Sequence, residues 1–434
     1  MSRIGRQIGQ TFASLRFFNY RVWFATALVS NVGAWMQRIA QDWLVLKEMA
    51  PADPGLAAGI VTALQFLPAL FLSAYAGLLA DRLPSRPLLI ATQTGQGILA
   101  VVLGVLVLSG HAQLWHVYLL AFLLGCVTAI DAPVRQTFVA EMVPMTMLTN
   151  AVGLNSASFN TSRLIGPAIA GLLIQVAGSG WAFIINGVTF AATIVGLVIM
   201  RKSELYPVEP VKRGKGQIRE AVGYVAHRPD IVLILIVIGV ISCLGFNSQL
   251  TIGLMATQVF DRQAGDYGVL SSMFAVGSLI GALLAAHRQR PRIRMVVVSA
   301  FGFGIFSGLS ALMPTYWTFG LSGIFVGLCT LTLITTANAT IQLTTIPAMR
   351  GRVIALYMLI FQGATPIGSP LVGWLAGVWG ARWSIGVGAI AALVVATFAL
   401  WWNHKYWHVT LRIEHQEGFP PRIVIDNPLD SVRH

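Results

Sequence analysis

Apolar residues run along this chain in blocks of about twenty, separated by short polar breaks, and the blocks recur from one end to the other. At a rise of about 1.5 Å per residue, a helical block of that length crosses about 30 Å of hydrocarbon. The pattern predicts spans near residues 20–46, 56–80, 88–108, 114–140, 150–176 and 181–200, and again near 231–260, 268–286, 295–313, 316–343, 353–376 and 383–402. The expected fold class is therefore an all-α polytopic membrane protein of twelve transmembrane helices, in two pseudo-symmetric six-helix halves at 20–200 and 231–402.

Three segments break the pattern. Residues 1–19 place Ile4, Ile8, Phe12 and Leu15 at helical spacing among Arg3, Arg6 and Arg16, an amphipathic lead-in lying on the membrane. Residues 201–230 form a polar, Lys- and Arg-rich linker between the halves, weakly amphipathic at Ile218–Val225. In the tail, 403–434, Val409, Leu411 and Ile413 alternate with polar residues and residues 422–426 read as a second short strand; a small hairpin and a disordered tail both fit.

Composition changes the picture in one respect: it makes lipid, not a large soluble core, the solvent of these blocks. The chain is 56% hydrophobic and 10% charged, where a soluble domain carries about 25% charged residues. Its net charge of +13 invites a nucleic-acid reading until the positions of the charges are followed. With the N-terminus in the cytoplasm, only Lys47, Arg262 and Arg382 lie outside and Arg38, Arg135 and Arg163 within spans. The rest of the 29 Lys and Arg then fall inside, as basic residues flanking spans require, so both termini are expected in the cytoplasm. Trp43, Trp115, Trp181, Trp317 and Trp383 would form the outer aromatic belt and Trp23 and Trp402 the inner one.

Other chemistries lack their residues. Cys126, Cys243 and Cys329 each lie inside an apolar run, which suits buried thiols and no disulfide framework, and no cluster has metal-ligand spacing. No phosphate-binding Gly-x-x-x-x-Gly-Lys and no His-Glu-x-x-His occurs, so neither a built-in ATP motor nor a metalloprotease is expected, and no cofactor is implied. The N-terminus does not read as a cleavable signal.

Between the second and third spans the loop carries Gly77, Asp81, Arg82 and Arg86, with Pro84 stopping the preceding helix. Glycine, three residues, Asp-Arg and a later basic residue, in a chain of twelve spans, resembles the major facilitator superfamily. The resemblance implies that Asp81 sits against helix ends and helps to gate the transporter, with Arg135 or Glu141 as its contact. The corresponding second-half loop, 286–294, is basic but has no acid. Asn19 to Phe24, Gly33 to Arg38 with Gln41 to Leu44, and Arg163 to Pro167 are similar to a bacterial branch that includes the enterobactin exporter, macrolide-efflux relatives and transmembrane secretion effectors. Gly153, Gly166, Pro167 and Gly171 partly match its antiporter motif, with Ser162 and Ala170 where glycines are usual. The resemblance covers residues 12–402.

Ionisable residues inside spans each cost about 2.5–3.5 kcal/mol on insertion scales and need a partner or a wet cavity. Residue counting puts Arg163 at mid-depth in the fifth span and Asp131 near the middle of the fourth, so a pair is expected, either a proton relay or a permanent ion pair. Arg38 and Asp42 stand four apart on the first span, where a second pair can form. Asn31, Gln37 and Gln41 extend that polar stripe, and Asn155 adds an amide on the fifth span. In the second half Asn247, Gln249, Asn338, Gln342 and Gln362 are the strong polar side chains within spans. Phe246 and Phe361 accompany them, and no acid does, so a titrating acid must come from the first half. Gly166, Pro167 and Gly171 in span five share their spacing with Gly368 and Gly373 in span eleven, which suits close packing or bending of a duplicated unit.

These readings converge on a secondary active transporter, not an enzyme, in the bacterial inner membrane. It is expected to export small amphipathic molecules, siderophore or drug-like, as a monomer by proton antiport. A proton-independent uniporter or lipid flippase of the same fold is the alternative.

Overall fold

The computed structural model describes residues 11–49, 52–206, 217–286, 293–407, 410–414 and 422–426. Residues 1–10 of the lead-in, residues 207–216 of the linker, most of the second basic loop and the remainder of the tail lie outside the described residues, as does the side chain of Asp81.

A short helical turn at Ala13–Arg16 leads into α1, Phe18–Trp43, which widens into a π-helical turn at Leu44–Glu48. There follow α2 (Pro54–Arg82), α3 (Ser85–Leu108), α4 (Leu114–Glu141), α5 (Leu148–Ala177) and α6 (Ser179–Ile199). The linker contributes a short helix, α7 (Gln217–Ala226). The second set comprises α8 (Pro229–Leu244), α9 (Ser248–Leu254) with its own π-helical turn at Met255–Val259, α10 (Ala264–Ala286), α11 (Ile293–Leu312) and α12 (Tyr316–Thr344). It closes with α13 (Pro347–Gly363), α14 (Thr365–Trp379) and α15 (Ala381–Trp407). Strands β1 (Thr410–Glu414) and β2 (Arg422–Asp426) pair antiparallel, Thr410 opposite Asp426.

Local chemistry sets the ends. Proline enters the first turn of α2, α8, α13 and α14, where its missing N–H is not needed. The α5–α6 and α14–α15 connections turn on Gly178 at φ 88° and Gly380 at φ 93°, a backbone region that L side chains rarely adopt. Reciprocal caps start α4 (Gln113 with His116) and α12 (Thr315 with Thr318). The π turns, glycines and caps recur at corresponding places in the two sets, a stronger trace of duplication than the glycine spacing alone.

Among the described residues, ten helical stretches are long and apolar enough to cross a membrane, and at most 50% of the most apolar window in each is buried. The outward faces are apolar, with Phe71, Leu172, Val176 and Val394 each more than 60% exposed, so they meet lipid. Neither α1 nor α5 is among the ten: α1 carries Gln37, Arg38, Gln41 and Asp42, and α5 carries Asn155, Asn160 and Arg163. Two spans expected to be continuous are broken. One stops at Gly245 and restarts at Ser248; the other is interrupted at Ala364, two residues before Pro366.

One end of the bundle, the basic end, carries Arg16, Arg82, Arg86, Arg201, Lys202, Arg228, Arg350 and Arg352; the far end carries Lys47, Arg262 and Arg382. At the far end a single apolar core joins the two sets, running from Met36, Leu46 and Val61 through Phe183 to Leu254, Tyr267, Phe319 and Val372. At the basic end there are two separate cores. One is built from the first set around Trp23, Leu89 and Phe138, the other from the second set around Ile234, Leu333 and Tyr357. The sets also meet along α2 with α14 and α5 with α10. Those seams are tight: a Cβ on Gly171 would strike the Ala264 carbonyl at 2.5 Å, and one on Gly373 would collide with the Gly55 backbone. Trp23 and Trp43 do not stand in an aromatic belt. Both are buried, Trp23 in an edge-to-face contact with Phe138, because the lipid face of α1 is narrow. Trp115, Trp181, Trp317 and Trp383 are exposed at the far end.

Candidate substrate cavity between the two helix sets

Two cavities lie between the sets, of about 440 and 1000 Å³. Arg38, Phe66 and Gln362 line both, so the two spaces meet there. The larger descends toward the basic end between Pro133 and Gln136 of α4 and Arg352 and Ala355 of α13. The smaller is walled by Phe246, Phe303, Phe319 and Phe361 of the second set and by Trp35 and Arg163 of the first. Both helix breaks face it: Gly245, Phe246 and Asn247 from one, Gln362 and Thr365 from the other. Irregular backbone at membrane depth is tolerated where it lines such a space.

Two guanidinium groups set the electrostatics. Arg38 stacks 5.0 Å from the centroid of the Trp35 ring and 5.8 Å from that of Phe66. Arg163 lies 5.7 Å from Trp35 and 5.7 Å from Phe274. One indole therefore carries both cations, and Gly166 makes room for it, since a Cβ there would meet Trp35 Cβ at 2.6 Å. Among the described residues, no carboxylate comes within the 4.0 Å of an ion pair with either arginine.

Asp42 turns away from Arg38. Its Oδ2 accepts a hydrogen bond of 3.0 Å from the hydroxyl of Tyr267, which also lies 3.1 Å from the Gln249 carbonyl. The expected Arg38–Asp42 pair gives way to this buried link between α1 and α10, because α10 brings a donor onto the acid while the cavity keeps the guanidinium. Further out, Lys47 Nζ reaches Asp261 at 2.9 Å, and Gln175 donates to Gln263 at 2.9 Å. Asp261 is fully exposed, and the hydrogen bond and charge of Lys47 hold its carboxyl below the usual value.

Asp131 does not meet Arg163. Its Oδ1 accepts from Thr92 at 2.7 Å and Gln93 at 2.8 Å, and its Oδ2 from Arg135 Nε at 3.1 Å. The physical reason is local: Arg135 lies one turn along the same helix face, and α3 supplies two more donors. Arg135 also covers Trp23 at 5.4 Å and reaches toward Asn31 at 3.5 Å. With its oxygens occupied, Asp131 is a fixed junction of α3 and α4, not a group facing Arg163.

Around the charged loop, Arg86 donates to the Val198 carbonyl at 2.7 Å, Arg82 is exposed, Gly77 is buried and Glu141 accepts from Ser85. The expected contact of Arg135 or Glu141 with Asp81 falls on a side chain outside the described residues. Of the proposed cavity lining, Gln37, Gln41 and Gln362 line the larger space, and Phe246, Asn247, Gln249, Phe361 and Gln362 the smaller. Gln37 accepts from Asn186, and Gln41 accepts from Gln65 at 2.9 Å. Asn31, Asn155, Asn338 and Gln342 line neither; Gln342 donates to Asn338 at 3.1 Å along α12. Pro167 lines the smaller cavity, and Gly368 lies so close to the Cys243 backbone that a Cβ would clash. Sequence reasoning missed Trp35, Phe66, Thr92, Gln93 and Tyr267. The three-residue step from Trp35 to Arg38 was a readable sign of stacking.

A bundle with apolar outer faces and a charged, aromatic-walled cavity between two helix sets has the architecture of a polytopic membrane transport protein. The chain belongs to the transmembrane secretion effector family of the major facilitator superfamily, whose profile matches residues 9–425. It is 24% identical over 389 residues to the staphyloferrin A transporter of Staphylococcus aureus, covering 89% of this chain and 96% of that one. It is 25% identical over 322 residues to the multidrug resistance protein MdtG of Escherichia fergusonii, covering 73% of this chain and 76% of that one. Among solved structures, a bacterial homolog of the human lysosomal transporter Spinster, inward-facing and unoccupied, superposes with a TM-score of 0.69 at 13% identity. That superposition covers 89% of this chain and 97% of the other.

Proposed function

We propose that the chain is a secondary active exporter of twelve spans, six in each half, with both termini in the cytoplasm of the bacterial inner membrane. It moves small amphipathic molecules out of the cell in exchange for protons, by alternating access. The observation that carries this reading is the division of the core. One apolar cluster seals the far end across both sets, while two separate clusters flank the larger cavity at the basic end. Basic residues mark the cytoplasmic side, so the cavity is open to the cytoplasm and shut to the outside. Relatives that bear the names staphyloferrin A transporter and multidrug resistance protein support small-molecule export.

Asp42 is the acid best placed to couple protons to the outer seal. It is 8% exposed and linked across the sets by Tyr267. A proton on Asp42 removes the charge that strengthens that hydrogen bond, so protonation and outer opening favour each other. One proton moving through about 100 mV supplies roughly 2.3 kcal/mol, enough for a gradient of about fifty-fold. The test is flux in proteoliposomes with an imposed pH gradient, read with a fluorescent amphipathic dye. We expect flux that an uncoupler abolishes and that loses its gradient dependence in Asp42→Asn. Flux indifferent to the uncoupler overturns antiport in favour of uniport.

A further inference from the structure

We infer that the substrate is an anion with an aromatic or apolar body, its acidic group held by Arg38 and Arg163 and its body by the phenylalanine wall of the second set. This rests on the export reading and deepens it by naming the charge class.

Arg38 and Arg163 line one cavity and share one indole, with no described carboxylate at ion-pair distance. Two cations held close together at membrane depth repel each other and lose part of their hydration, so an anion placed between them is favoured. Stacking on Trp35, Phe66 and Phe274 orders both groups while leaving their N–H edges free of protein acceptors among the described residues. A guanidinium is suited to planar, bidentate recognition of a carboxylate or phosphate. With Asp42 ionised, the three charges sum to a single positive charge, which one carboxylate brings to zero.

The opposite wall fits the remainder of such a molecule. Phe246 packs edge-to-face on Phe303 at 5.4 Å and on Phe361 at 6.1 Å, leaving an aromatic surface. Uncharged hydroxyls and amides share that wall, among them Ser307, Thr330 and Gln362, and two of its polar atoms, Asn247 Oδ1 and Ser271 Oγ, are buried without a partner. Among the described residues, no ionisable side chain of the second set lines the smaller cavity. Charge is thus read by the first set and shape by the second.

Electrical direction agrees with export. A loaded, neutral site crosses the membrane field without work, and the empty, positive site is drawn back by an inside-negative potential.

The test uses the purified full-length protein in detergent and three dansyl probes that differ in charge: dansylglycine, dansyl amide and dansylcadaverine. Equilibrium binding is read by fluorescence polarisation. We expect dansylglycine to bind at least about tenfold tighter than the other two, since charge-assisted hydrogen bonds to a carboxylate are lost with either. Arg38→Gln and Arg163→Gln should each erase most of that preference, with Arg→Lys at either site retaining part of it. Preference for the neutral or cationic probe in the wild type overturns the inference, whatever the variants do. So does an unchanged preference in both Gln variants, or no saturable binding of dansylglycine up to about 1 mM. Binding without gradient-driven flux overturns only the antiport reading; flux with no preference for the anion overturns only this one.

Discussion

Replacing Tyr267 with phenylalanine takes one hydroxyl from the far end and, with it, the donor by which α10 holds Asp42 of α1. The ring stays, so the apolar seal around Leu46, Leu254 and Leu270 keeps its volume. What is lost is a buried hydrogen bond of 3.0 Å to a carboxylate, and bonds to charged groups contribute about 1.5–3 kcal/mol. Opening the far end would draw α10 away from α1 and break the link, so its loss is expected to fall on the shut state. If the outward-open form holds about 1% of the wild-type population, a shift of that size raises it to between about 10% and 60%. Spin labels at His111 and Trp317, both exposed at the far end, report the change as a distance distribution, with Cys126, Cys243 and Cys329 replaced. A longer-distance population should appear in Tyr267→Phe and also in Asp42→Asn. A folded Tyr267→Phe protein with the wild-type distribution refutes the idea that this contact holds the seal.

Asp131→Asn should act on stability before transport. It leaves the half-buried Arg135 guanidinium without its counter-ion, and breaking a buried pair costs about 3–5 kcal/mol, discounted here toward the lower figure because Arg135 is 19% exposed. Thermal unfolding in detergent measures it, and Asp131→Asn with Arg135→Gln should recover part of the loss; an unchanged melting point with abolished gradient-driven flux would instead make Asp131 a relay. The Lys47–Asp261 bridge sets a pH window of its own. Lys47 lowers the Asp261 carboxyl below its usual 3.8, so the bridge is present above that value and lost as pH falls through the lowered one. The far-end distance should therefore show no titration from this pair between about pH 5 and 8, and Lys47→Met should alter it little in salt.

The spans were legible because hydrocarbon thickness fixes their length. Leu114–Glu141 and Tyr316–Thr344 begin on the residues that the apolar pattern marks. The seam glycines were legible too, since Gly171 and Gly373 stand in equivalent places and both meet backbone. Partners were harder. Residue counting gives depth along a helix but not rotation about it, so Asp131 and Arg163 at similar depth read as a pair although their side chains point into different seams. The i, i+4 step from Asp131 to Arg135 carried the better signal. Tyr267 could not be tied to Asp42 from sequence, because that contact depends on how two distant helices are turned. The breaks at Gly245 and Ala364 were hidden inside apolar runs whose hydropathy continues across them.

Those two breaks lie in the second set only, while α1 and α5, which carry the arginines, are continuous through the cavity. A continuous helix resists bending along its hydrogen-bonded length, whereas an interrupted one yields at the gap. The charge reader is thus mounted on unbroken helices, of which α5 lacks one hydrogen bond at Pro167 and can bend there, and the wall that feels the rest of the molecule on jointed staves. With the anion proposed above as substrate, such a device would be strict about ionic sign and lenient about outline. Its repertoire should be a family of acids of many silhouettes.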